Sequence, residues 1–304
     1  MPWKWVAVEM TPAEFNGLRA AAEAAYAAID FARMREIGSQ MLAAGERSGD
    51  PEHIAYGRLY QGWANIHLQA GEGAKSALHS ALAFFRESGR KLETAQTLTC
   101  LASIAIDVDV DAAESRRLFE EAWPLVREVG TKEQAAALRG NLGEVCRLEG
   151  DLKAATECAH ESLDMWRALD DPMRSAWQLT NIAHNEILSR RYSSAIRSLD
   201  LACDELTRAP NPLCVTWCFD VWIILAVKLG QLDVGARLLG FVEWLRMDDG
   251  LYRQQGMLPY LSEPIERLSR AFTDEEMQAF ARDGERLSFF DARDLASTLH
   301  AHIR

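Results

Sequence analysis

Chemistry-bearing residues are sparse in this 304-residue chain, and most of them stand alone. No H-E-x-x-H, G-x-S-x-G, paired C-x-x-C or G-x-G-x-x-G pattern occurs, so the common zinc, serine-hydrolase and dinucleotide sites have no foundation here. Cys214 and Cys218 are spaced to share one helix face, but no second ligand pair accompanies them, and core packing accounts for both. His300 and His302 read as a solvated chain end. The run Asp107, Asp109, Asp111 lacks the glycine turn and spacing of a calcium loop. It reads instead as a helix break that supplies negative charge to the next helix N-terminus, and Asp274 with Glu276 adds a second acidic start. No catalytic residue, metal or cofactor is therefore expected. What remains is a set of amides and aromatics in register. Asn141 and Asn181 are 40 residues apart, and so are Trp177 and Trp217. A side-chain amide offers both a donor and an acceptor to a peptide unit, and an indole offers a broad apolar face.

Composition narrows the partners. The chain carries 33 Lys and Arg against 45 Asp and Glu, a formal net charge of -12. Without a long basic run, direct nucleic-acid binding is disfavoured. Long-range steering favours basic or neutral partners. Hydrophobic residues make up 48%, enough for a folded core. The six cysteines sit inside apolar helical patterns, as small buried thiols of a reducing compartment do. The first ten residues lack the apolar run of a signal peptide, and no stretch reaches the roughly 18–20 apolar residues of a membrane span. A cytoplasmic protein is expected, without membrane partners.

The elements that must position these residues are helices with a long period. Gly49, Gly89, Gly130, Asp170, Pro210 and Asp248 mark the ends of second helices, at spacings of 40, 41, 40, 40 and 38. Trp63, Leu101, Leu142, Ile182 and Trp222 mark the middles of first helices, at spacings of 38, 41, 40 and 40. Start signals recur in step: Thr11-Pro12 with Glu14, Asp50-Pro51, Thr131 with Gln134, Asp171-Pro172 and Asn211-Pro212. In the hairpin 131–170, Leu138, Leu142, Val145 and Cys146 form one apolar face, and Ala155, Ala159, Leu163 and Trp166 form the returning one. Gly143 lets the two helices approach. One hairpin cannot bury these faces alone, so stacking drives the fold.

The expected organisation is an extended segment at 1–10, hairpins at about 11–49, 50–89, 90–130, 131–170, 171–210 and 211–248, and a C-terminal cap at 249–304. Residues 249–264, with two Gly and two Pro, read as a loop, followed by helices at about 265–271, 273–283 and 288–300. Thr273 with Glu276 and Ser288 with Asp291 are capping boxes.

The stretch 141–163 resembles the tetratricopeptide repeat (TPR). It has the large-small pair Leu142-Gly143, the turn Gly150 and Ala155 five residues on. Ile182-Ala183 with Ala195, Trp63-Ala64 with Gly71, Leu101-Ala102, and Gly230 followed by Gly235-Ala236 are looser copies. The period near 40, and the segments 235–246 and 265–296, resemble the C-terminal sensor arms of bacterial LuxR-type and regulatory ATPase activators. The resemblance implies an all-α, right-handed solenoid of about six hairpins with a helical cap. The chain lacks the phosphate-binding loop and the helix-turn-helix of those regulators.

In TPR proteins the first helices line a concave groove. Counting from the large-small pair, the resemblance assigns to that groove Arg58, Asn65 and Leu68, then Gln96 and Ser103, Asn141, Glu144 and Arg147, Trp177, Asn181 and His184, and Trp217. Asn141 and Asn181 are then similar to the asparagine ladder of peptide-binding TPR proteins, or else face solvent or a neighbouring helix. Trp177 and Trp217 are either an aromatic wall or core. His184 is read as structural rather than as a pH switch. The functional expectation is a non-enzymatic bacterial regulatory module that binds a peptide, a protein segment or a small inducer. The alternative is a regulatory arm controlling a larger NTPase activator. A lesser one is an enzyme built on a helical solenoid.

Overall fold

The computed structural model describes residues 10–28, 30–68, 74–109, 111–251 and 257–303. Among them the regular elements are helices, without a strand, and the chain divides into two compact units, Met1–Thr131 and Lys132–Arg304. The first unit holds α1 (Pro12–Ala27), α2 (Phe31–Ser48), α3 (Pro51–His67), α4 (Ala74–Glu87), α5 (Lys91–Asp107) and α6 (Ala112–Val129). The second holds α7 (Lys132–Leu148), α8 (Leu152–Ala168), α9 (Pro172–Leu188), α10 (Tyr192–Arg208), α11 (Pro212–Lys228) and α12 (Leu232–Asp248). Three further helices complete it, α13 (Leu258–Ala271), α14 (Asp274–Gly284) and α15 (Phe289–Ser297), with a short 3-10 turn over Thr298–His302. The segment 1–9 and the repeat position Gly71 lie outside the described residues.

Caps set the boundaries. Thr11, Thr273 and Ser288 each accept from the backbone three residues on and complete reciprocal boxes with Glu14, Glu276 and Asp291. Asp50, Asp171 and Asn211 cap α3, α9 and α11 ahead of prolines that occupy the first turn. Inside each hairpin of the second unit the turn uses one left-handed residue at an equivalent place: Gly150 at φ 83°, Arg190 at φ 58° and Gly230 at φ 76°. Glycine meets this requirement without strain, whereas Arg190 meets it against its own Cβ.

The apolar faces pack as the periodicity predicts. Leu138, Leu142, Val145 and Cys146 of α7 and Ala155, Ala159, Leu163 and Trp166 of α8 are buried. A Cβ on Gly143 would stand 3.1 Å from the Ala155 carbonyl oxygen and 3.3 Å from Cys158 Cβ, so the small residue sets how closely α7 and α8 lie. All six cysteines are free and buried.

Helix α11 is buried on every side from Cys214 to Val227, with Trp222, Phe219 and Leu225 fully enclosed. A helix apolar all round needs cover all round. Neighbouring repeats provide α9, α10 and α12, and α13 packs on α11 while α14 and α15 pack on α12. Each large apolar side chain enclosed this way contributes roughly 1.5–3 kcal/mol. This arrangement corrects one expectation: part of 249–264 is helix, because α13 begins at Leu258. Pro259 sits in its first turn, where the missing N–H has no helical partner to lose. Pro264 lies inside the helix and is buried with Leu261 and Leu268, and that burial offsets its lost hydrogen bond. Among the described residues no helix is long and apolar enough to cross a membrane.

Candidate functional site: a polar cluster in the second unit

Helix α9 is buried along nearly its whole length, yet it carries Gln178, Asn181, His184 and Asn185 on one side. These residues follow helical spacing, so they form a polar stripe rather than scattered exceptions. The stripe meets α7. Gln178 lies against Gly140, where an added Cβ would stand 2.6 Å from the amide nitrogen of Gln178. Asn181 Nδ2 donates to Glu144 Oε1 at 3.2 Å. Arg147 Nη1 donates to Asn181 Oδ1 at 3.1 Å and to Asn185 Oδ1 at 3.4 Å. Three polar rungs therefore join the first helices of successive hairpins.

Tyr260 of α13 covers this ladder. Its ring lies 5.9 Å from the Arg147 guanidinium carbon and meets the His184 imidazole edge-on, with centroids 4.5 Å apart at 85°. His184 is fully buried, and both ring nitrogens lack a partner among the described residues. Burial, assisted by the positive charge of Arg147, holds its pKa well below the ordinary imidazole value, so the ring is neutral. Burial likewise raises the Tyr260 hydroxyl, against the opposing pull of Arg147. Arg147 Nε, Asn185 Nδ2 and Gln178 Oε1 are also buried without partners. A buried polar atom without a hydrogen bond is costly, and a concentration of such atoms is uncommon in a folded chain.

An aromatic pair stands on the same unit. Trp177 of α9 and Trp217 of α11 stack with centroids 5.2 Å apart at 8°. Trp177 is half-buried, while Trp217 is buried, with its Nε1 unpartnered. One turn along α11, Asp220 is paired with Arg246 of α12, both nearly enclosed.

The groove positions drawn from the sequence thus fall into three groups. Glu144, Arg147, Asn181 and His184 converge in the cluster, with Asn141 half-buried one turn before Glu144 on α7. Trp177 and Trp217 form the stack. Arg58, Asn65, Leu68, Gln96 and Ser103 belong to the first unit and are half-buried on or just after α3 and on α5. Asn181, His184 and Arg147 are covered rather than open, because α9 packs along α7 and Tyr260 closes over both. Sequence reasoning missed Gln178, Asn185, Tyr260, Asp220 and Arg246. The first two were legible as the continuation of the Asn181 face at helical spacing. Tyr260 carried no such signal.

The first unit has a polar network of its own. Glu93, 8% exposed, accepts from the Tyr56 hydroxyl and pairs with Arg19 at 3.3 Å. Arg90 donates to the Tyr56 hydroxyl at 3.4 Å and pairs with Glu52 at 2.5 Å. Arg19 stacks over the Tyr56 ring at 4.3 Å, and burial pushes the neighbouring Tyr60 hydroxyl up to about 12. A depression of about 860 Å³ along α1 and α2, lined by Met10, Leu18, Glu36, Ala43 and Arg47 among others, contains none of the groove positions. Among the described residues no three His, Cys, Asp or Glu gather as metal ligands.

No protein-family model and no curated protein matches the sequence. Solved structures do match the fold. A Rap protein complexed with competence and sporulation factor is 13% identical with a TM-score of 0.65, over 93% of this chain and 74% of that one. The Rap conjugation gene regulator of plasmid pLS20, in complex with the Phr* peptide, is 13% identical with a TM-score of 0.60, over 95% and 76%. The apo form of RapI is 12% identical with a TM-score of 0.50, over 94% and 99%. At these identities the likeness shows the fold alone: the chain has an all-α, TPR-like fold of repeated helical hairpins, shared with Rap proteins.

Proposed function

We propose that the chain is a regulatory module that captures a peptide, or an extended protein segment, along the first helices of the second unit. The observation that carries this reading is the cluster of buried, unpartnered polar atoms on Arg147, His184 and Asn185, next to the half-buried Asn141, Glu144 and Trp177. Donors and acceptors in a row along stacked helices suit a peptide backbone, and the Trp177–Trp217 stack suits an apolar side chain. Two of the similar structures are complexes of Rap proteins, one with competence and sporulation factor and one with the Phr* peptide, which supports the same use of the fold. In this reading the protein is a non-enzymatic bacterial regulator of the cytoplasm. The hairpins over 131–248 read the ligand, 249–304 close the array, and the unit at 11–130 is free to carry a second partner.

The test is affinity selection of a random hexapeptide library, read by mass spectrometry. Wild type is expected to retain a defined subset, and the double variant Asn141→Ala, Trp177→Ala is expected to lose it while keeping its helical circular dichroism. A retained peptide at 100 times its Kd should add about 2.7 kcal/mol of stability, visible as a raised Tm. Retention of nothing by wild type defeats the reading.

The segments 235–246 and 265–296 support a second use of the same module, as a sensor arm that restrains a larger NTPase activator. Co-purification of an ATPase from a native lysate is the outcome that favours it.

A further inference from the structure

Peptide capture leaves one feature unexplained, the charge state of the cluster. Arg147 is 6% exposed. The groups bonded to it, the Asn181 and Asn185 amide oxygens and the Tyr260 hydroxyl, are neutral, and its buried Nε has no partner. Among the described residues no carboxylate pairs with it. Glu144, one turn earlier on α7, is held by Asn181 instead. The contrast within the molecule lies in the acid pairing, since Nε is also buried without a partner on Arg246 and Arg19. Arg246 is buried to the same 6% and is paired with Asp220. Arg19, more exposed, is paired with Glu93. A guanidinium withdrawn from water without an anion is costly, and it cannot relieve that cost by losing its proton.

We infer that Arg147 is the anchor for a carboxylate of the ligand. One edge of its fork is used on the two asparagines, which orient it, and Nε on the other edge is left to a planar anion, with the unpartnered Asn185 Nδ2 as a neighbouring donor. The anion is a single carboxylate rather than a phosphate. The chain has a net charge of -12, and Glu144 already stands in the network, so a dianion meets repulsion at long and short range. A peptide that is neutral or basic overall and carries one carboxylate meets both conditions. This inference rests on the cluster being the ligand site.

The experiment uses the full chain and random hexapeptides in two forms, free acid and C-terminal amide, each made with and without Asp and Glu. Peptides retained by wild type are expected to carry at least one carboxylate, with amidated acid-free peptides retained at least tenfold less. Retention that amidation abolishes identifies the terminal carboxylate as the source. Retention of amides that contain Asp or Glu identifies a side chain. Two variants complete the test. Arg147→Met should lose retention without lowering Tm. Asn185→Asp, nearly isosteric, should place a competing carboxylate beside Arg147, cut retention at least tenfold and raise Tm.

Equal retention of amidated acid-free peptides, or an Arg147→Met variant that keeps the wild-type set, overturns the inference and leaves peptide capture standing. If wild type retains no peptide, acetate, a monocarboxylate, is compared with chloride and inorganic phosphate at equal ionic strength by thermal shift. A rise with acetate that is absent in Arg147→Met supports the carboxylate anchor while peptide capture fails. No rise, or an equal rise with phosphate, overturns it as well.

Discussion

The Glu93 network of the first unit and the Arg147 cluster of the second solve the same problem in opposite ways. Each has polar side chains buried between first helices. In the first unit the charges are paired: Glu93 meets Arg19 and the Tyr56 hydroxyl, and Arg90 meets Glu52. In the second cluster, among the described residues, Arg147 has amides and an aromatic ring but no carboxylate paired with it, and His184 has no partner at either nitrogen. A buried network with its charges matched holds its own helices together. One with unmatched groups holds stability in reserve for whatever completes it. In the proposed reading this difference separates a structural network from a ligand site where residue types alone do not, since both contain Arg, an acid and Tyr.

The largest effect tests the first half of that contrast. Glu93→Gln keeps the shape but leaves Arg19 facing a neutral amide, and loss of one partner of a buried pair costs about 3–5 kcal/mol. Urea unfolding should place this variant toward the low end of that range, because Arg19 keeps some exposure. A cost below about 1 kcal/mol would erase the distinction between the units.

A smaller effect sharpens the second half. His184 is neutral in the fold because its pKa is depressed, while in the unfolded chain it titrates near 6.5. Below about pH 6.5 the unfolded state therefore binds a proton that the folded state refuses. Stability is fully present above that pH and falls as pH drops through it, by up to about 1.4 kcal/mol per unit from this group. In His184→Phe the slope between pH 6.5 and 5 should flatten, and an unchanged slope would assign it to other groups.

The smallest effect concerns the scaffold. Arg190 occupies the left-handed position that Gly150 and Gly230 occupy in the adjacent hairpins. Arg190→Gly should be neutral to stabilising by up to about 1 kcal/mol, with ligand retention unchanged. A clear loss of Tm would mean that the arginine side chain matters more than its backbone strain.

Much of the scaffold was legible without coordinates. The first helices of the hairpins begin at residues 12, 51, 91, 132, 172 and 212, the rhythm already visible in Gly49, Gly89, Gly130 and their successors. Caps at Thr11, Asp171 and Ser288 and the apolar faces of α7 and α8 follow from local rules, because capping and amphipathicity are written within one or two helical turns. The candidate site was legible only as a row. Asn141, Glu144, Arg147, Asn181 and His184 stood at the right helical positions, but their pairing, burial and charge balance did not follow from spacing.

By itself, then, the sequence determined a repeating helical hairpin, its period and its end signals, since each depends on contacts between near neighbours. Only the tertiary structure decided that, among the described residues, Arg147 pairs with no acid while Arg246 has one, that Trp177 lies flat on Trp217, and that a segment with two prolines becomes the helix that brings Tyr260 over His184. Those outcomes depend on which surfaces remain uncovered once the hairpins stack. The all-apolar α11 demanded a cover, and the position of that cover set the environment of the cluster.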